Sequence, residues 1–216
     1  MSVRHPIISI TGSSGAGTSS VKRTFDQIFR REGINAANIE GDAFHAYDRM
    51  EMKRVMKEEE AKGNRNFSHF GPESNLLKRL EETFKEYGET GGGTTRHYVH
   101  DDAEAEKFGC PPGTFTPWEP FPEKTDLLFY EGLHGAVVTG DVNVAKYADL
   151  KIGVVPVVNL EWIQKIHRDT SLRGYSTEAV MDTILRRMPD YVHYICPQFT
   201  ETDINFQRVP TVDTSN

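Results

Sequence analysis

Apolar runs of strand length alternate along the chain with segments in which apolar residues recur at helical spacing. The short runs predict strands at 7–10, 36–40, 127–130 and 150–155. The helical spacing predicts a helix after the first run, a second over 48–62, and others that begin near residues 72, 159 and 177. Strands that alternate with helices are typical of an α/β protein. We therefore expect a mostly parallel sheet with helices on both faces.

Two helices in the second half of the chain carry more specific predictions. In the helix that begins near residue 159, the spacing of Leu160, Ile163 and Ile166 predicts an apolar face directed inward. Thr177 is predicted to cap the following helix, because a threonine hydroxyl can accept hydrogen bonds from the free N–H groups of a first turn.

Two further segments follow other patterns. Residues 88–124 are rich in Gly, Pro and Thr, and only 94–99 has the composition of a strand. Long irregular stretches in a compact domain usually bind a ligand or move. Beyond Pro189, short apolar runs favour strands again, at 194–195 and 204–209.

Length, composition and charge restrict the class of protein. The 216 residues suffice for one α/β domain, and no apolar run reaches the roughly 18 residues that a membrane-spanning helix needs. Two cysteines, Cys110 and Cys196, are too few for a disulfide framework or a zinc site, so we expect reduced thiols in a cytoplasmic protein. The net charge of −7 argues against a nucleic-acid partner, which would require broad positive patches.

A loop rich in glycine and serine follows the first predicted strand and opens the first helix. Its residues are Gly12, Ser13, Ser14, Gly15, Ala16, Gly17, Thr18, Ser19 and Ser20. Glycines let backbone N–H groups approach phosphate oxygens, and the helix N-terminus adds a partial positive charge. The Ser19 hydroxyl stands where such loops bind Mg²⁺. We predict that the loop binds a nucleoside triphosphate, within a three-layer fold of the P-loop NTPase type.

The loop departs from the usual pattern at one position. Phosphate loops generally carry a lysine before the final serine or threonine, and Thr18 takes that place here. The backbone cradle survives this change, but the point charge on the β and γ phosphates is lost. One well-placed cation can be worth ~10³–10⁵ in the rate of phosphoryl transfer. Either another residue supplies the charge, or the site only binds nucleotide.

Asp42 follows the second predicted strand, at the sheet edge where parallel sheets bind their ligands. A carboxylate there can take the proton from an attacking hydroxyl, although an isolated aspartate in this position is more often a turn or capping residue. His45, Arg49 and Lys53 follow closely, and the last two are four residues apart on one helix face. We predict a base at Asp42 beside cations that bind an anionic acceptor. A solvated surface position is the alternative for Lys53.

Glu131 ends the apolar run of the third predicted strand. Many P-loop proteins place an acid at this position, and it holds Mg²⁺ directly or through water. A plain acid at a strand end is the alternative, and we predict the metal role.

The segment 165–174 gathers charged residues at the end of a predicted helix. Lys165, Arg168 and Asp169 fall within about one turn, so their side chains can reach one site. Either Lys165 or Arg168 can supply the charge that is missing at Thr18. An exposed basic helix end would explain the cations through the helix dipole, but it would not explain an aspartate in the same place.

At these residues the chain resembles the phosphoribulokinase/uridine kinase family, in its bacterial phosphoribulokinase branch, over essentially its whole length. The segments that carry the resemblance are the loop 12–20 with Thr18 in the lysine place, 40–45, 130–134 and, most specifically, 165–178. The missing loop lysine is typical of that branch. By resemblance, therefore, its absence does not imply an inactive site.

The resemblance implies transfer of the γ-phosphoryl group of Mg·ATP to O1 of ribulose 5-phosphate, which gives ribulose 1,5-bisphosphate for carbon fixation in the Calvin cycle. It implies Asp42 as the base, with Lys165 and Arg168 steadying the transferred group. The implied metal-binding residues are Ser19, Glu131 and Asp169, and the implied sugar-phosphate contacts are His45, Arg49 and Arg173, to which Lys53 is added from its place beside Arg49. Asp42 and Asp169 can both reach the reaction centre, so which is the base and which binds metal is open.

Members of that family continue well beyond Asn216, where this sequence stops. The resemblance implies that the further part carries additional strands and sites for regulation by NADH and AMP. It also implies a large homo-oligomer. For 1–216 we expect a single P-loop kinase domain without that C-terminal extension.

Two other functions are compatible with the same motifs. A kinase of this family that acts on uridine or another nucleoside would use the same loop, but a nucleoside offers no anion for Arg49 and Arg173. A regulator that binds ATP without catalysis would fit Thr18, but it gives no reason for Asp42 and Asp169. We therefore expect ATP and ribulose 5-phosphate as small-molecule partners, and neither nucleic acid nor a membrane.

Overall fold

The computed structural model describes residues 5–211, with the backbone but not the side chains of Leu172 and Arg173. The helices are α1 (Thr18–Glu32), α2 (Arg49–Ala61), α3 (Leu77–Thr90), α4 (Asp102–Phe108), α5 (Val158–Arg173), α6 (Thr177–Asp190) and α7 (Gln198–Glu201). The strands are β1 (Ile7–Thr11), β2 (Ala36–Glu40), β3 (Thr94–Thr95), β4 (Glu119–Pro120), β5 (Leu127–Gly132), β6 (Val138–Thr139), β7 (Val142–Asn143), β8 (Leu150–Pro156) and β9 (Ile204–Arg208).

The central sheet has the strand order β2-β5-β1-β8-β9, and every neighbouring pair is parallel. All five strands therefore end at the same edge of the sheet. The first glycine of the phosphate loop follows β1, and Asp42 lies two residues after the end of β2. Glu131 is the penultimate residue of β5. The topology thus brings together residues that are far apart in the sequence, as the prediction of a parallel sheet required.

Helices cover both faces of this sheet. On one face Phe29 of α1 packs against Phe129, with ring centroids 5.2 Å apart. On the other face Phe84 of α3 packs against Tyr130, with ring centroids 5.5 Å apart. Residues that point to either side of β5 are thus fully enclosed, which is typical of parallel strands buried on both faces. The predicted three-layer α/β fold is confirmed.

The predicted apolar face of α5 is wrong. Ile163 is 48% exposed, and Leu160 and Ile166 are only partly buried. The buried positions of this helix are Glu161, Lys165 and Asp169. These residues recur every four positions, so α5 directs a polar row inward, against the phosphate loop. Ion pairing within the row offsets the cost of burying charge.

Two smaller predictions about the region after α5 are also wrong. Ser176 rather than Thr177 caps α6, because its hydroxyl accepts a hydrogen bond from the backbone N–H of Ala179 at 3.2 Å. Residues 194–195 do not form a strand but lie in a π-helical turn that continues α6. Periodicity alone cannot separate a short buried strand from a short buried helical turn. The strand predicted at 204–209 is confirmed as β9.

The stretch 88–124 is irregular over much of its length, as predicted, but it contains α4, which the sequence pattern did not indicate. The Asp101 carboxylate caps this helix by accepting from the backbone N–H of Glu104 at 3.0 Å. Of the predicted strand 94–99, only β3 forms, and it pairs antiparallel with β4. No helix within the described residues is long and apolar enough to cross a membrane.

Candidate active site

The phosphate loop connects β1 to α1 at the carboxyl edge of the sheet. Gly15 and Gly17 have positive φ angles, 108° and 97°, which side-chain-bearing residues rarely adopt. A Cβ atom at Gly12 would lie 2.8 Å from Cγ2 of Thr18 and 3.0 Å from the carbonyl oxygen of Val154. The backbone angles favour glycine at positions 15 and 17, and the close packing favours it at position 12.

Thr18, which stands in the place of the loop lysine, is buried. Its hydroxyl faces Glu131 and stabilises the charged form of that carboxyl. The next residue, Ser19, is exposed at the start of α1. The loop thus exposes the hydroxyl of Ser19 and directs the hydroxyl of Thr18 toward Glu131.

Glu131 is partly buried beside other acids. Burial raises the pKa of its carboxyl, and the charges of Asp42 and Glu40 raise it further, while the Thr18 hydroxyl acts in the opposite direction. A carboxylate in surroundings this negative is stabilised by a cation. Mg²⁺ prefers oxygen ligands such as carboxylates and hydroxyls. Glu131 and Ser19 therefore fit the predicted magnesium site chemically.

Asp42 lies in a short helical turn directly after β2 and is paired with two histidines. Its Oδ1 atom is 3.1 Å from Nε2 of His45, and its Oδ2 atom is 3.6 Å from Nε2 of His100. Partial desolvation raises the pKa of this carboxyl, but the charge and hydrogen bond of His45, with smaller contributions from His100 and His69, lower it below its ordinary value. Asp42 is therefore ionised at neutral pH, and 40% of its side chain is exposed to receive a ligand.

The orientation of His45 is fixed from behind by Asn75. The Asn75 side-chain N–H groups donate to the carbonyl oxygens of His69, at 2.9 Å, and Gly71, at 2.6 Å. This leaves Oδ1 of Asn75 to accept from Nδ1 of His45 at 2.8 Å. The two ring nitrogens of His45 thus face different partners, Nδ1 the amide of Asn75 and Nε2 the carboxylate of Asp42. His45, predicted to bind the acceptor, is 5% exposed, and its ring is held between Asn75 and Asp42.

Arg49 joins this group from the start of α2. Its Nη2 atom donates to the carbonyl oxygen of His100 at 2.8 Å, so it lies at the rim of the Asp42 site. Lys53 is exposed one turn further along α2 and pairs with no acid among the described residues. The side chain of Arg173 lies outside the described residues. The structure therefore brings together three of the predicted acceptor-side residues, Asp42, His45 and Arg49.

Lys165, Arg168 and Asp169 form one ion-paired group on α5. The Lys165 ammonium is 2.6 Å from Oδ2 of Asp169, and Nε of Arg168 is 2.9 Å from Oδ1. Nη2 of Arg168 also donates to Oγ of Ser14 at 3.1 Å, which ties the group to the phosphate loop. Burial raises the pKa of Asp169, but these two cations outweigh burial and lower it. Burial lowers the pKa of Lys165, and Asp169 partly opposes that shift.

Three residues of the site were missed from the sequence. His100 belongs to the irregular stretch, Glu161 is the first member of the buried row on α5, and Arg208 ends β9. The guanidinium of Arg208 donates to the carbonyl oxygen of Ala16 at 2.7 Å. A polar residue every four positions in α5 was the available signal for Glu161, and a cation at a strand end was the signal for Arg208. No local pattern marks His100.

Comparison with known proteins identifies the family. The family model described as "Phosphoribulokinase / Uridine kinase family" matches residues 7–215. The chain belongs to this family. A phosphoribulokinase from Nitrobacter vulgaris is 76% identical over 213 residues, which are 99% of this chain and 73% of that protein. The chromosomal phosphoribulokinase of Cupriavidus necator is 69% identical over 216 residues, which are 100% of this chain and 74% of that protein.

A solved structure supports the same assignment. The phosphoribulokinase from Rhodobacter spheroides superposes with a TM-score of 0.87 and 63% sequence identity, over 99% of this chain and 73% of that one. The predicted family, the kinase class and the P-loop fold are thereby confirmed. The chain spans about three quarters of the length of these relatives. Their names favour the kinase over a regulator that binds ATP without catalysis.

Proposed function

We propose that the protein transfers the γ-phosphoryl group of ATP to O1 of ribulose 5-phosphate. The observation that carries this proposal is the position of ionised Asp42, between two histidines and near Arg49, at the sheet edge that also holds the phosphate loop. A base beside two histidines and an arginine suits an acceptor that bears both a hydroxyl and a phosphate. The relatives named above, which match nearly all of the chain, are phosphoribulokinases.

Asp42 is proposed to accept the proton of the attacking hydroxyl. The O1–H group of the acceptor would donate a hydrogen bond to the exposed part of the carboxylate, which orients O1 toward the γ phosphorus. Phosphoryl transfer proceeds in most accounts through a loose transition state, in which the proton is still largely on the attacking oxygen. A base with a low pKa therefore suffices, because it takes the proton as the new P–O bond forms. His45 keeps this carboxylate ionised and restricts its rotation.

The nucleotide is proposed to bind along the phosphate loop, with α5 supplying the cations. Arg168 already contacts Ser14 of the loop, and Lys165 lies three residues before it on the same helix. Both side chains are held by Asp169 in this structure. Movement of either cation from Asp169 to the phosphates would replace the charge that Thr18 does not provide. The kinetics of Asp42→Asn distinguish whether Asp42 or Asp169 serves as the base.

Ser19 and Glu131 are proposed to hold Mg²⁺, together with Asp169. When bound with ATP, Mg²⁺ neutralises phosphate charge and orients the γ phosphate. Asp169 is occupied by two cationic side chains in the described state, so its contribution to the metal would require that at least one of them leaves.

The substrate proposal is tested by coupled release of ADP. Ribulose 5-phosphate, uridine and a blank without acceptor are compared side by side under the same conditions. We expect ADP release above the blank with ribulose 5-phosphate alone. Release with uridine alone would replace the proposal by nucleoside phosphorylation, and equal release in all three would indicate hydrolysis without an acceptor.

From the family resemblance we also propose that the protein acts in the cytoplasm as a homo-oligomer. Light scattering coupled to size-exclusion chromatography measures the mass of the particle directly. A mass equal to one chain of 24.4 kDa would contradict the oligomer.

Ser19→Ala and Glu131→Gln are each expected to raise the Mg²⁺ concentration required for half-maximal activity, because alanine removes an oxygen ligand and glutamine replaces a carboxylate with a neutral amide. The pKa of Glu131 is raised, so protons compete with the metal as the pH falls toward that pKa. The Mg²⁺ requirement of the wild type should therefore increase at low pH. The requirement of Glu131→Gln, which cannot titrate, should change less. A change in thermal stability alone would make Glu131 a plain strand-end acid.

Arg49→Ala is expected to raise KM for ribulose 5-phosphate by roughly ten- to a hundredfold, with much less effect on KM for ATP. A hydrogen bond to a charged group is worth about 1.5–3 kcal/mol, which corresponds to that range. The matched control is Arg54→Ala on the same helix, because Arg54 is exposed and pairs with Glu58 at 2.6 Å. Equal changes in both KM values would place Arg49 on the nucleotide side.

A further inference from the structure

Arg96 lies next to β3 and reaches across to the backbone that carries Asp42. Its Nε atom donates to the carbonyl oxygen of Ala43 at 2.8 Å, and its Nη2 atom donates to the carbonyl oxygen of His45 at 2.8 Å. One rigid guanidinium therefore binds two carbonyl groups of residues 41–46, which we call the acceptor segment. The pKa of Arg96 is lowered by burial and by the charge of Arg79, with no carboxylate acting on it, and its side-chain hydrogen bonds within the described residues are to these carbonyls.

Aromatic rings hold the guanidinium in place. Its Cζ atom is 3.6 Å from the ring centroid of Phe115 and 4.8 Å from that of Trp118. Trp118 also meets the ring of Phe44 edge-on, at a centroid distance of 5.4 Å, so the same cluster fixes a side chain of the acceptor segment. A planar cation between aromatic faces loses little freedom when it forms hydrogen bonds, because its orientation is already set.

The acceptor segment has few other restraints on this side. It is a single helical turn outside the sheet, and its opposite side is bonded to residues 74–76. There the backbone N–H of Leu76 donates to the carbonyl of Phe44 at 2.7 Å, and the N–H of Ala46 donates to the carbonyl of Ser74 at 2.8 Å. Arg96 thus completes the restraint by binding the carbonyls on either side of Phe44.

We propose that Arg96 is a positioning residue for the phosphoryl acceptor, which acts by fixing the backbone of Ala43 and His45 and thereby the pairing of His45 with Asp42. The 3.1 Å approach of the His45 ring to Asp42 depends on where the backbone of His45 lies. Arg96 itself does not contact Asp42. Its loss should therefore affect the acceptor reaction and leave the phosphate loop intact.

The test compares Arg96→Lys with Arg79→Lys. Lysine retains the charge but cannot hold two carbonyls in one plane. Arg79 is a matched control because its Cζ atom is 3.4 Å from the same Trp118 ring, while its side-chain hydrogen bond is to Oγ1 of Thr94, at 3.4 Å, and not to the acceptor segment. Both substitutions thus remove a guanidinium from one aromatic cluster, and only one releases the carbonyls.

For Arg96→Lys we expect kcat/KM for ribulose 5-phosphate to fall by roughly tenfold or more, since two charge-assisted hydrogen bonds are weakened. The Kd of a fluorescent ATP analogue should stay close to that of the wild type, and Arg79→Lys should remain near the wild type in both measurements. The proposal is overturned if Arg79→Lys matches Arg96→Lys, if ATP binding weakens as much as acceptor use, or if nothing changes.

This assay rests on the function proposed above, so a second measurement is made that needs no substrate. Hydrogen–deuterium exchange of peptides that cover residues 41–46 should increase in Arg96→Lys and not in Arg79→Lys, with the loop at 12–20 unchanged. If the wild type does not phosphorylate ribulose 5-phosphate, the substrate proposal fails while the exchange result still decides whether Arg96 holds the segment.

If Arg96→Lys does not fold, Phe115→Leu takes its place, because it removes one of the aromatic faces that stack on the Arg96 guanidinium. Exchange in residues 41–46 should then increase to a smaller extent, and unchanged exchange would overturn the proposal.

Discussion

Asp42→Asn is expected to lower kcat by about 10²–10⁴, the range that general base catalysis typically contributes. Asparagine has nearly the same shape as aspartate, but its amide cannot accept the proton of the attacking hydroxyl. The Kd of ATP should change little, because the partners of Asp42 are His45 and His100 on the acceptor side. The measurement is steady-state kinetics for both substrates, combined with equilibrium binding of an ATP analogue.

The matched control for this substitution is Asp48→Asn. Asp48 caps α2 by accepting from the backbone N–H groups of Met50 and Glu51, both at 2.8 Å. Asparagine is an equally good cap, so kcat of this variant should stay close to that of the wild type. A near-normal kcat in Asp42→Asn would transfer the role of base to Asp169 or to water. Loss of ATP binding in parallel with kcat would instead give Asp42 a place in the nucleotide site.

The sequence predicted the parts of the site that follow either from consecutive residues or from the topology of a parallel sheet. The strand, the loop and the first turn of α1 are consecutive, so the spacing of Gly12, Gly15 and Gly17 was enough to predict a phosphate loop. Asp42 and Glu131 were predicted because the ends of parallel strands share one edge of the sheet, a rule that needs no side-chain detail.

The inward face of α5 was predicted incorrectly because apolar spacing was taken as the guide to burial. Ile163 is exposed, whereas Glu161 and Lys165 are buried, since this helix packs its polar row against the phosphate loop. Burial of paired charges at a ligand site overrides the usual preference, and such exceptions are expected where function dictates the residue.

His100 and Arg96 could not be found from the sequence for a different reason. They act on Asp42 and on His45 through contacts that span more than fifty residues, from an irregular stretch without periodicity. The sequence predicted that this stretch binds something or moves, but it did not indicate the residues or their partners.

Lys165→Met is expected to lower kcat by about 10³–10⁵ while the Kd of ATP changes only modestly, if Lys165 replaces the lysine that is absent at Thr18. The reason for this prediction is the balance of charge. Mg·ATP and a sugar phosphate bring several negative charges into a chain of net charge −7, so a cation is needed at the phosphates. In the described state the ammonium is held 2.6 Å from Asp169, beside the loop that Arg168 already contacts. A lysine held there can move to the phosphates when the site closes.

The ion pair complicates this test, because methionine leaves Asp169 with one cation fewer in a buried position. Because Asp169 is itself proposed to bind Mg²⁺, the double variant Lys165→Met with Asp169→Asn is compared with Asp169→Asn alone. The double variant should recover thermal stability relative to Lys165→Met, while its kcat stays below that of Asp169→Asn. Lys78→Met serves as a control, because the exposed Lys78 also pairs with a largely buried acid, Glu81 at 2.9 Å, but lies on α3 rather than α5. A kcat of the double variant equal to that of Asp169→Asn would mean that Lys165 acts only through its pairing with Asp169.

A structure with a non-hydrolysable ATP analogue and the acceptor gives the direct answer. We expect the Lys165 ammonium near 2.7–2.9 Å from an oxygen of the β or γ phosphate, the usual length of a charge-assisted hydrogen bond. If it lies beyond about 6 Å from all of these oxygens in a closed complex, too far for such a bond, Arg168 becomes the substitute.

Adding Thr18→Lys to Lys165→Met is a weaker test. Thr18 is buried against Gly12 and Glu131, so a lysine there must first displace its neighbours before it can reach the phosphates.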